Sequence, residues 1–294
     1  MFKGVIVPVL TSFDKNNRLI LNKNYLKYLD FLKNSGIENL MINGTNGEFH
    51  SMNMKERKDI LNFIVKNTEF NLMVHIGSNN IFETIELGKH AMSLKIMDLS
   101  VICPYFFPID QTSVIEYYIQ ISKELKDANI FLYNNLSFTF NKIDFKILNL
   151  IKNRTNNVVG IKDTNNTPWL VQKAKEEFGE GFQVFGGSDS YALSYLAHGA
   201  DGFVSGTANI FPKTALKIFE SFKNGDIKKA SYWQNIFQDN IENISDKVAF
   251  TDSLKYSLKL MNMDIGIPRK PVRETNDAEK NKIEEYIHRS NNLN

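Results

Sequence analysis

Short apolar, β-branched or aromatic stretches recur eight times along this chain of 294 residues, and no other feature restricts its fold as strongly. They run Gly4 to Leu10, Asn39 to Asn43, Leu72 to Gly77, Leu99 to Pro104, Ile130 to Asn134, Val158 to Lys162, Phe182 to Gly186 and Gly202 to Ser205. Between them lie segments of helical periodicity. Lys55 to Lys66 is apolar at Ile60, Leu61, Phe63 and Ile64, and Ile81 to Leu94 at Ile85, Leu87, Ala91 and Leu94. Near-continuous apolar strands alternating with amphipathic helices imply a parallel sheet, because parallel strands need long crossovers that lay helices against them. Eight such units, spaced roughly 20 to 35 residues apart, match a closed (β/α)8 TIM barrel better than an open doubly wound sheet.

The barrel is expected over residues 1–224, with a C-terminal helical extension over 225–294 packed on it. That extension carries helical stretches at Ile227 to Ile244, Thr251 to Met261 and Asp277 to Ile287. No linker rich in Pro, Gly or Ser marks an independent second domain. A hydrophobic content of 43% is enough for a sizeable core. The net charge of +2, from 35 basic and 33 acidic residues mixed along the chain, leaves no electrostatic footprint for nucleic acid. A small, neutral or singly carboxylated substrate is the expected partner.

The first apolar stretch is interrupted by Pro8 and Asp14, too early for a signal peptide or a spanning helix, so a cytoplasmic protein without membrane association is expected. The single cysteine, Cys103, excludes an intrachain disulfide and reads as a buried structural thiol. His50, His75, His90, His198 and His288 are scattered without ligand spacing, so no metal and no organic cofactor is expected.

Barrel enzymes place their chemistry at the C-terminal ends of the strands. Here those ends are polar: Thr11 and Ser12, Gly44-Thr45-Asn46-Gly47-Glu48, Ser78, Tyr105, Tyr133 and Asn134, Lys162-Asp163-Thr164, Gly187-Ser188-Asp189, and Ser205-Gly206-Thr207. Side chains alternate along a strand, so Lys162 shares a face with Val158 and Gly160 while Ile161 and Asp163 share the other. If the bulkier Val159 and Ile161 meet the helices, Lys162 points into the barrel. Burial disfavours a charged ammonium, and a neutral amine in a dry pocket attacks carbonyls to form an imine that withdraws electrons from the adjacent carbon. The structural alternative is a lysine paired with a carboxylate, or one reaching solvent. Tyr133, ending the preceding strand, reads either as a proton relay for that amine or as a packed aromatic. In the Gly44-to-Glu48 loop, the donors of Thr45 and Asn46 suit a carboxylate, and a plain turn with Glu48 in solvent is the alternative.

With these residues in view, the chain resembles the dihydrodipicolinate synthase and N-acetylneuraminate lyase superfamily of pyruvate-dependent class I aldolases over nearly its whole length. The resemblance is carried by Gly4-Val5-Ile6-Val7-Pro8-Val9-Leu10-Thr11, Asn43-Gly44-Thr45-Asn46-Gly47-Glu48-Phe49, Tyr133-Asn134, Gly160-Ile161-Lys162-Asp163-Thr164 and Gly199-Ala200-Asp201-Gly202. It implies that Lys162 forms the Schiff base and that Tyr133 shuttles protons. It implies a carboxylate cradle at Thr45, Asn46 and Gly47, with Asn46 where the family more often has Thr or Ser. A backbone contact near Val204 and a homotetrameric assembly complete what it implies.

Phe138 stands where dihydrodipicolinate synthases usually carry an arginine for the carboxylate of aspartate semialdehyde. Pro104-Tyr105-Phe106-Phe107 replaces the Pro-Tyr-Tyr motif that lends a tyrosine to a neighbouring subunit, which makes Tyr105 and Phe106 the subunit-interface candidates. Gly186-Gly187-Ser188-Asp189 and Ile267-Pro268-Arg269-Lys270-Pro271 look like the 2-keto-3-deoxygluconate aldolases, with Asp189, Ser190 and Ser205 as hydroxyl-binding candidates. The expected reaction is therefore reversible cleavage of a 2-keto-3-deoxy sugar acid to pyruvate and an aldehyde. N-acetylneuraminate lyase, a dihydrodipicolinate synthase-like condensation or dehydration, and a non-catalytic pyruvate-binding protein are the alternatives.

Overall fold

The computed structural model describes residues 2–244 and 249–290. Met1, residues 245–248 and residues 291–294 lie outside the described residues, and the last two segments belong to the expected C-terminal extension. Eight parallel strands close into a barrel in chain order: β1 (Gly4–Pro8), β2 (Asn39–Ile42), β3 (Asn71–His75), β4 (Asp98–Ile102), β5 (Asn129–Asn134), β6 (Val158–Asp163), β7 (Gln183–Gly186) and β8 (Gly202–Val204). Every apolar run becomes a strand, and only the ends differ. β1, for example, stops at Pro8, which has no N–H to continue a ladder. The helices along the chain are α1 (Lys23–Asn34), α2 (Met54–Asn67), α3 (Ile81–Ser93), α4 (Gln111–Glu124), the single turn α5 (Leu136–Thr139), α6 (Phe145–Asn153), α7 (Pro168–Phe178), α8 (Ala192–Ala197) and α9 (Pro212–Lys223). Beyond these, α10 (Ile227–Ile244), α11 (Phe250–Leu260) and α12 (Asp277–Ser290) supply the expected C-terminal helices.

Short polar residues start these helices. The side chains of Asn22, Asn53, Asn80, Asp110 and Asp144 each accept an N–H of the first turn, and Asn53 with Glu56 forms a reciprocal capping box. Pro168 and Pro212 begin α7 and α9, where a missing N–H costs nothing. No described helix is long and apolar enough to cross a membrane.

The chain divides into two compact units. The first, Met1–Ile6, Asn39–Ile42 and Asn71–Val204, contains the barrel strands apart from Val7 and Pro8, together with α3 to α8. Its parallel register pairs Phe131 with Gly160 and Tyr133 with Lys162. A bulge sets Val158 opposite Ile130 and skips Val159, so the strict alternation expected along β6 holds for Gly160 and Lys162 but is broken before them. Gly160 is required here, since a Cβ would lie 2.7 Å from the Phe131 ring. That ring meets Phe2 edge-on at 6.3 Å and Phe185 at 6.3 Å, an aromatic plug two register pairs below Tyr133 and Lys162.

The second unit, Val7–Glu38, Asn43–Phe70 and Ser205–Asn294, holds α1, α2 and α9 to α12. Buried tyrosines tie its segments: Tyr25 Oη donates to Leu10 O (2.9 Å), while Tyr28 Oη accepts from Leu10 N (3.2 Å) and donates to Asn209 Oδ1. Phe13 forms antiparallel bridges to both Leu19 and Ile267. Gly266, at φ +82°, lets Ile267 approach, because a Cβ there would lie 2.0 Å from Phe13 O.

Candidate active site

Lys162 and Tyr133 are register partners on neighbouring strands and therefore project from the same face of the sheet. The next residue, Asp163, projects from the opposite face and identifies it. Its carboxylate accepts from Tyr195 Oη of α8 (2.7 Å) and from Thr167 Oγ1 at the start of α7 (2.6 Å), so that face looks onto the helices. Lys162 and Tyr133 consequently face the lumen. Burial, then the Asp163 carboxylate beside it, pushes the Tyr195 phenol well above its usual value, which keeps it a donor.

Lys162 is 6% exposed, and its Nζ stands 3.9 Å from the centroid of the Tyr133 ring. Among the described residues, no carboxylate, carbonyl or hydroxyl hydrogen-bonds this nitrogen. The alternatives of a carboxylate-paired or solvent-reaching lysine are both excluded by that placement. Space around the amine is kept by Gly187, where a Cβ would lie 3.1 Å from Lys162 Cε and 2.1 Å from Thr164 Oγ1. The Thr164 hydroxyl oxygen is itself buried without a hydrogen-bond partner. A buried, unsatisfied hydroxyl this close to the amine is suited to a polar group on a bound molecule.

Hydrogen bonds brace the scaffold beneath these groups. Asn134 Nδ2 donates to Asp163 Oδ1 (2.8 Å) and to Ile143 O (2.8 Å), while Asn134 Oδ1 accepts from Ile143 N (2.9 Å). Thr164 N donates to Asn134 O (2.9 Å) and Gly187 N to Asp163 O (2.7 Å). The ends of β5, β6 and β7 are thereby laced together on both sides of Lys162. His75 lies edge-on to Tyr133 with ring centroids 5.8 Å apart, and its Nδ1 is 3.1 Å from Ser100 O. A carbonyl only accepts, so Nδ1 carries the proton.

Two of the sequence candidates thus meet directly, and the others take distinct places. Val204 ends β8 and is buried. Asp189 opens the short 3-10 turn after β7 and is half-buried, whereas Ser190 in the same turn is exposed. Tyr105 is half-buried, with its N–H donating to Asn79 Oδ1 (2.8 Å). Phe106 is 73% exposed at φ +81° and packs edge-on against Phe107. Phe138, on α5, is also exposed.

The remaining candidates belong to the second unit. Thr45 and Asn46 are half-buried, and Asn46 Nδ2 is buried without a hydrogen bond. Gly47 O accepts from Thr11 Oγ1 (2.7 Å). Ser205 is fully buried, with its Oγ accepting from Ala208 N (3.0 Å). The alternative of a solvated Glu48 is corrected. Glu48 is buried at φ +57°, its Oε1 lies 2.6 Å from Lys255 Nζ, and its Oε2 accepts from Arg269 N (2.8 Å). Among the described residues, no three His, Cys, Asp or Glu side chains gather as metal ligands.

Three residues beside the central pair received no role from the sequence: Thr164, His75 and Asn135, whose Nδ2 donates to Tyr133 Oη (3.1 Å). The available signal for Asn135 was a second asparagine directly after Tyr133-Asn134, where the chain turns into a helix.

A family model described as the dihydrodipicolinate synthetase family matches residues 1–290. An uncharacterized DapA-like lyase of Thermococcus onnurineus is 30% identical over 280 residues, covering 92% of this chain and 91% of that protein. Among solved structures, YagE of E. coli K12 in complex with pyruvate superposes with a TM-score of 0.91 at 23% identity, covering 98% of both chains. A sialic acid aldolase of Ruminococcus gnavus gives 0.91 at 22% identity, covering 97% of this chain and 96% of the other. At these identities the two structural likenesses bear on the fold.

Proposed function

This chain belongs to the dihydrodipicolinate synthetase family, and from that premise we propose that it is a class I aldolase. In this reading it reversibly cleaves a 2-keto-3-deoxy sugar acid to pyruvate and an aldehyde through an imine on Lys162. Membership assigns the aldolase and lyase class. The finer reading is carried by one observation: a buried amine without a counter-ion, held against the ring of Tyr133 in the barrel lumen.

Lys162 attacks the keto carbon and water leaves with a proton supplied by the Tyr133 phenol, giving a protonated imine and a phenolate. The Tyr133 phenolate takes the proton from the hydroxyl beside the scissile bond, and the electron pair of that carbon–carbon bond moves into the imine as the aldehyde departs. The resulting enamine regains a proton at carbon from the phenol, and hydrolysis then frees pyruvate and the amine. On the family resemblance, Thr45, Asn46, Gly47 and the backbone at Val204 hold the pyruvoyl end, so that the bond to be broken aligns with the imine π system. The hydroxyl-bearing end is assigned to Thr164, Asp189, Ser190 and Ser205. Phe138 at the arginine position supports an aldehyde without a carboxylate. The assembly is proposed to be a homotetramer, which sedimentation equilibrium checks.

The test is borohydride trapping with pyruvate. A pyruvate-derived mass increment on Lys162, absent from Lys162→Met, is expected, and failure to find it removes the imine. Turnover is then compared on 2-keto-3-deoxy sugar acids, N-acetylneuraminate, and pyruvate with aspartate semialdehyde. An adduct without turnover on any of them would favour a non-catalytic pyruvate-binding protein.

A further inference from the structure

The proposed cycle requires the Tyr133 phenol to give up and regain a proton, so the groups touching its oxygen bear on the rate. Asn135 Nδ2 lies 3.1 Å from Tyr133 Oη, and both residues are buried. An amide nitrogen has no lone pair with which to accept. Asn135 therefore donates, and the phenol's own proton is directed to another group. A donor aimed at an oxygen that becomes negative binds the anion more strongly than the neutral phenol, since charge-assisted hydrogen bonds are roughly twice as strong as neutral ones.

The amide is held in place. Asn135 O accepts from Phe138 N (3.2 Å), Thr139 N (3.2 Å) and Thr139 Oγ1 (2.9 Å), which fixes the residue at the start of α5. The following N–H, of Leu136, donates to Asn165 Oδ1 (2.7 Å). Two titratable groups from other strands face the same phenol ring: Lys162 of β6, 3.9 Å from its centroid, and His75 of β3, 5.8 Å between centroids. Asn135 touches the oxygen itself.

We propose that Asn135 is the positioning residue of the Tyr133 phenol, orienting its oxygen and stabilising the phenolate during proton transfer. This inference rests on the imine chemistry proposed above. It bears on one step: the proton leaving C3 of the pyruvate imine passes to the phenolate while the C–H electron pair moves into the imine to form the enamine, and reversal returns a solvent-exchanged proton to C3.

That step is read without any aldehyde, as the rate at which the pyruvate methyl protons exchange in deuterated water, followed by proton NMR. Borohydride trapping on Lys162 is measured in parallel. Asn135→Leu keeps the branched shape and removes the donor, while Asn135→Gln retains an amide. For Asn135→Leu we expect trapping within about twofold of wild type but exchange slowed about tenfold or more, with part of the rate restored in Asn135→Gln. If Asn135→Leu does not fold, Asn135→Asp takes its place with the same expectation, being isosteric and, when ionised, unable to donate. Normal trapping with wild-type exchange in the donor-less variant overturns this inference alone. Absence of any pyruvate adduct in wild type overturns the imine reading and this inference with it.

Discussion

Lys162 and Lys255 are both almost wholly buried, yet the structure treats them differently. Lys255 lies 2.6 Å from Glu48 Oε1 and 2.9 Å from Ile267 O, and its pKa is lowered by burial against the opposing pull of Glu48. Lys162 has a phenol ring in place of an anion. Removing one member of a buried ion pair leaves the other charge uncompensated, at a cost of roughly 3–5 kcal/mol. Lys255→Met is therefore expected to lower unfolding free energy by about that amount, read from urea melts, with part recovered in the Glu48→Gln/Lys255→Met double variant. Lys162→Met replaces an unpaired amine by an apolar chain of similar length. It should change stability by less than about 1 kcal/mol while eliminating the pyruvate adduct, and a large stability loss would show a structural role instead. Cys103 is fully buried, and burial pushes its thiol up to about 12. A maleimide should label it only after unfolding, as expected of a structural thiol.

At the scale of elements, the barrel rim beside the amine depends on side chains that join strand ends. Asp163 alone satisfies Asn134, Thr167 and Tyr195. Asp163→Ala would remove an acceptor from the buried Asn134 and Tyr195 and the half-buried Thr167, and a loss of roughly 3–5 kcal/mol in chemical denaturation is expected. Gly187→Ala should fold but displace Thr164 and the tip of Lys162, slowing imine trapping by roughly ten- to a hundredfold. In the second unit, Arg269 grips Glu56 of α2 with two hydrogen bonds (2.6 and 2.8 Å) and also donates to Ser51 O and Asn17 O. Hydrogen bonding from Arg269 holds the Glu56 carboxyl below its usual value. A lowered folded-state pKa contributes stability that is complete above the ordinary carboxylate range and is lost as pH falls through the folded value. The melting temperature should therefore drop between about pH 6 and pH 3, and Glu56→Gln should lessen that drop. An identical acid profile in the variant would remove Glu56 from the account.

Over the whole molecule, the closed eight-stranded barrel, its strand order and the C-terminal helices follow the apolar run pattern, because both periodicities are written into neighbouring residues. Lys162 and Tyr133 were readable as residues that close strands, whereas the face of the lysine needed the structure, because the bulge at Val159 breaks the alternation along β6. The alternative of Glu48 in solvent stayed open because its partner stands 207 residues away, and nothing local distinguishes a loop glutamate that finds a buried lysine from one that does not. Asn135 and Thr164 went unassigned for a similar reason, since a polar residue after a strand reads as loop until its neighbours in space are known.

The sequence by itself determined the eightfold alternation of strands and helices and the family to which the chain belongs. Only the tertiary structure decided that one buried lysine meets a carboxylate and the other a phenol. The periodicity of an element is set by sterics and burial within a few residues, whereas the partner of a buried charge is chosen by how distant segments close on one another.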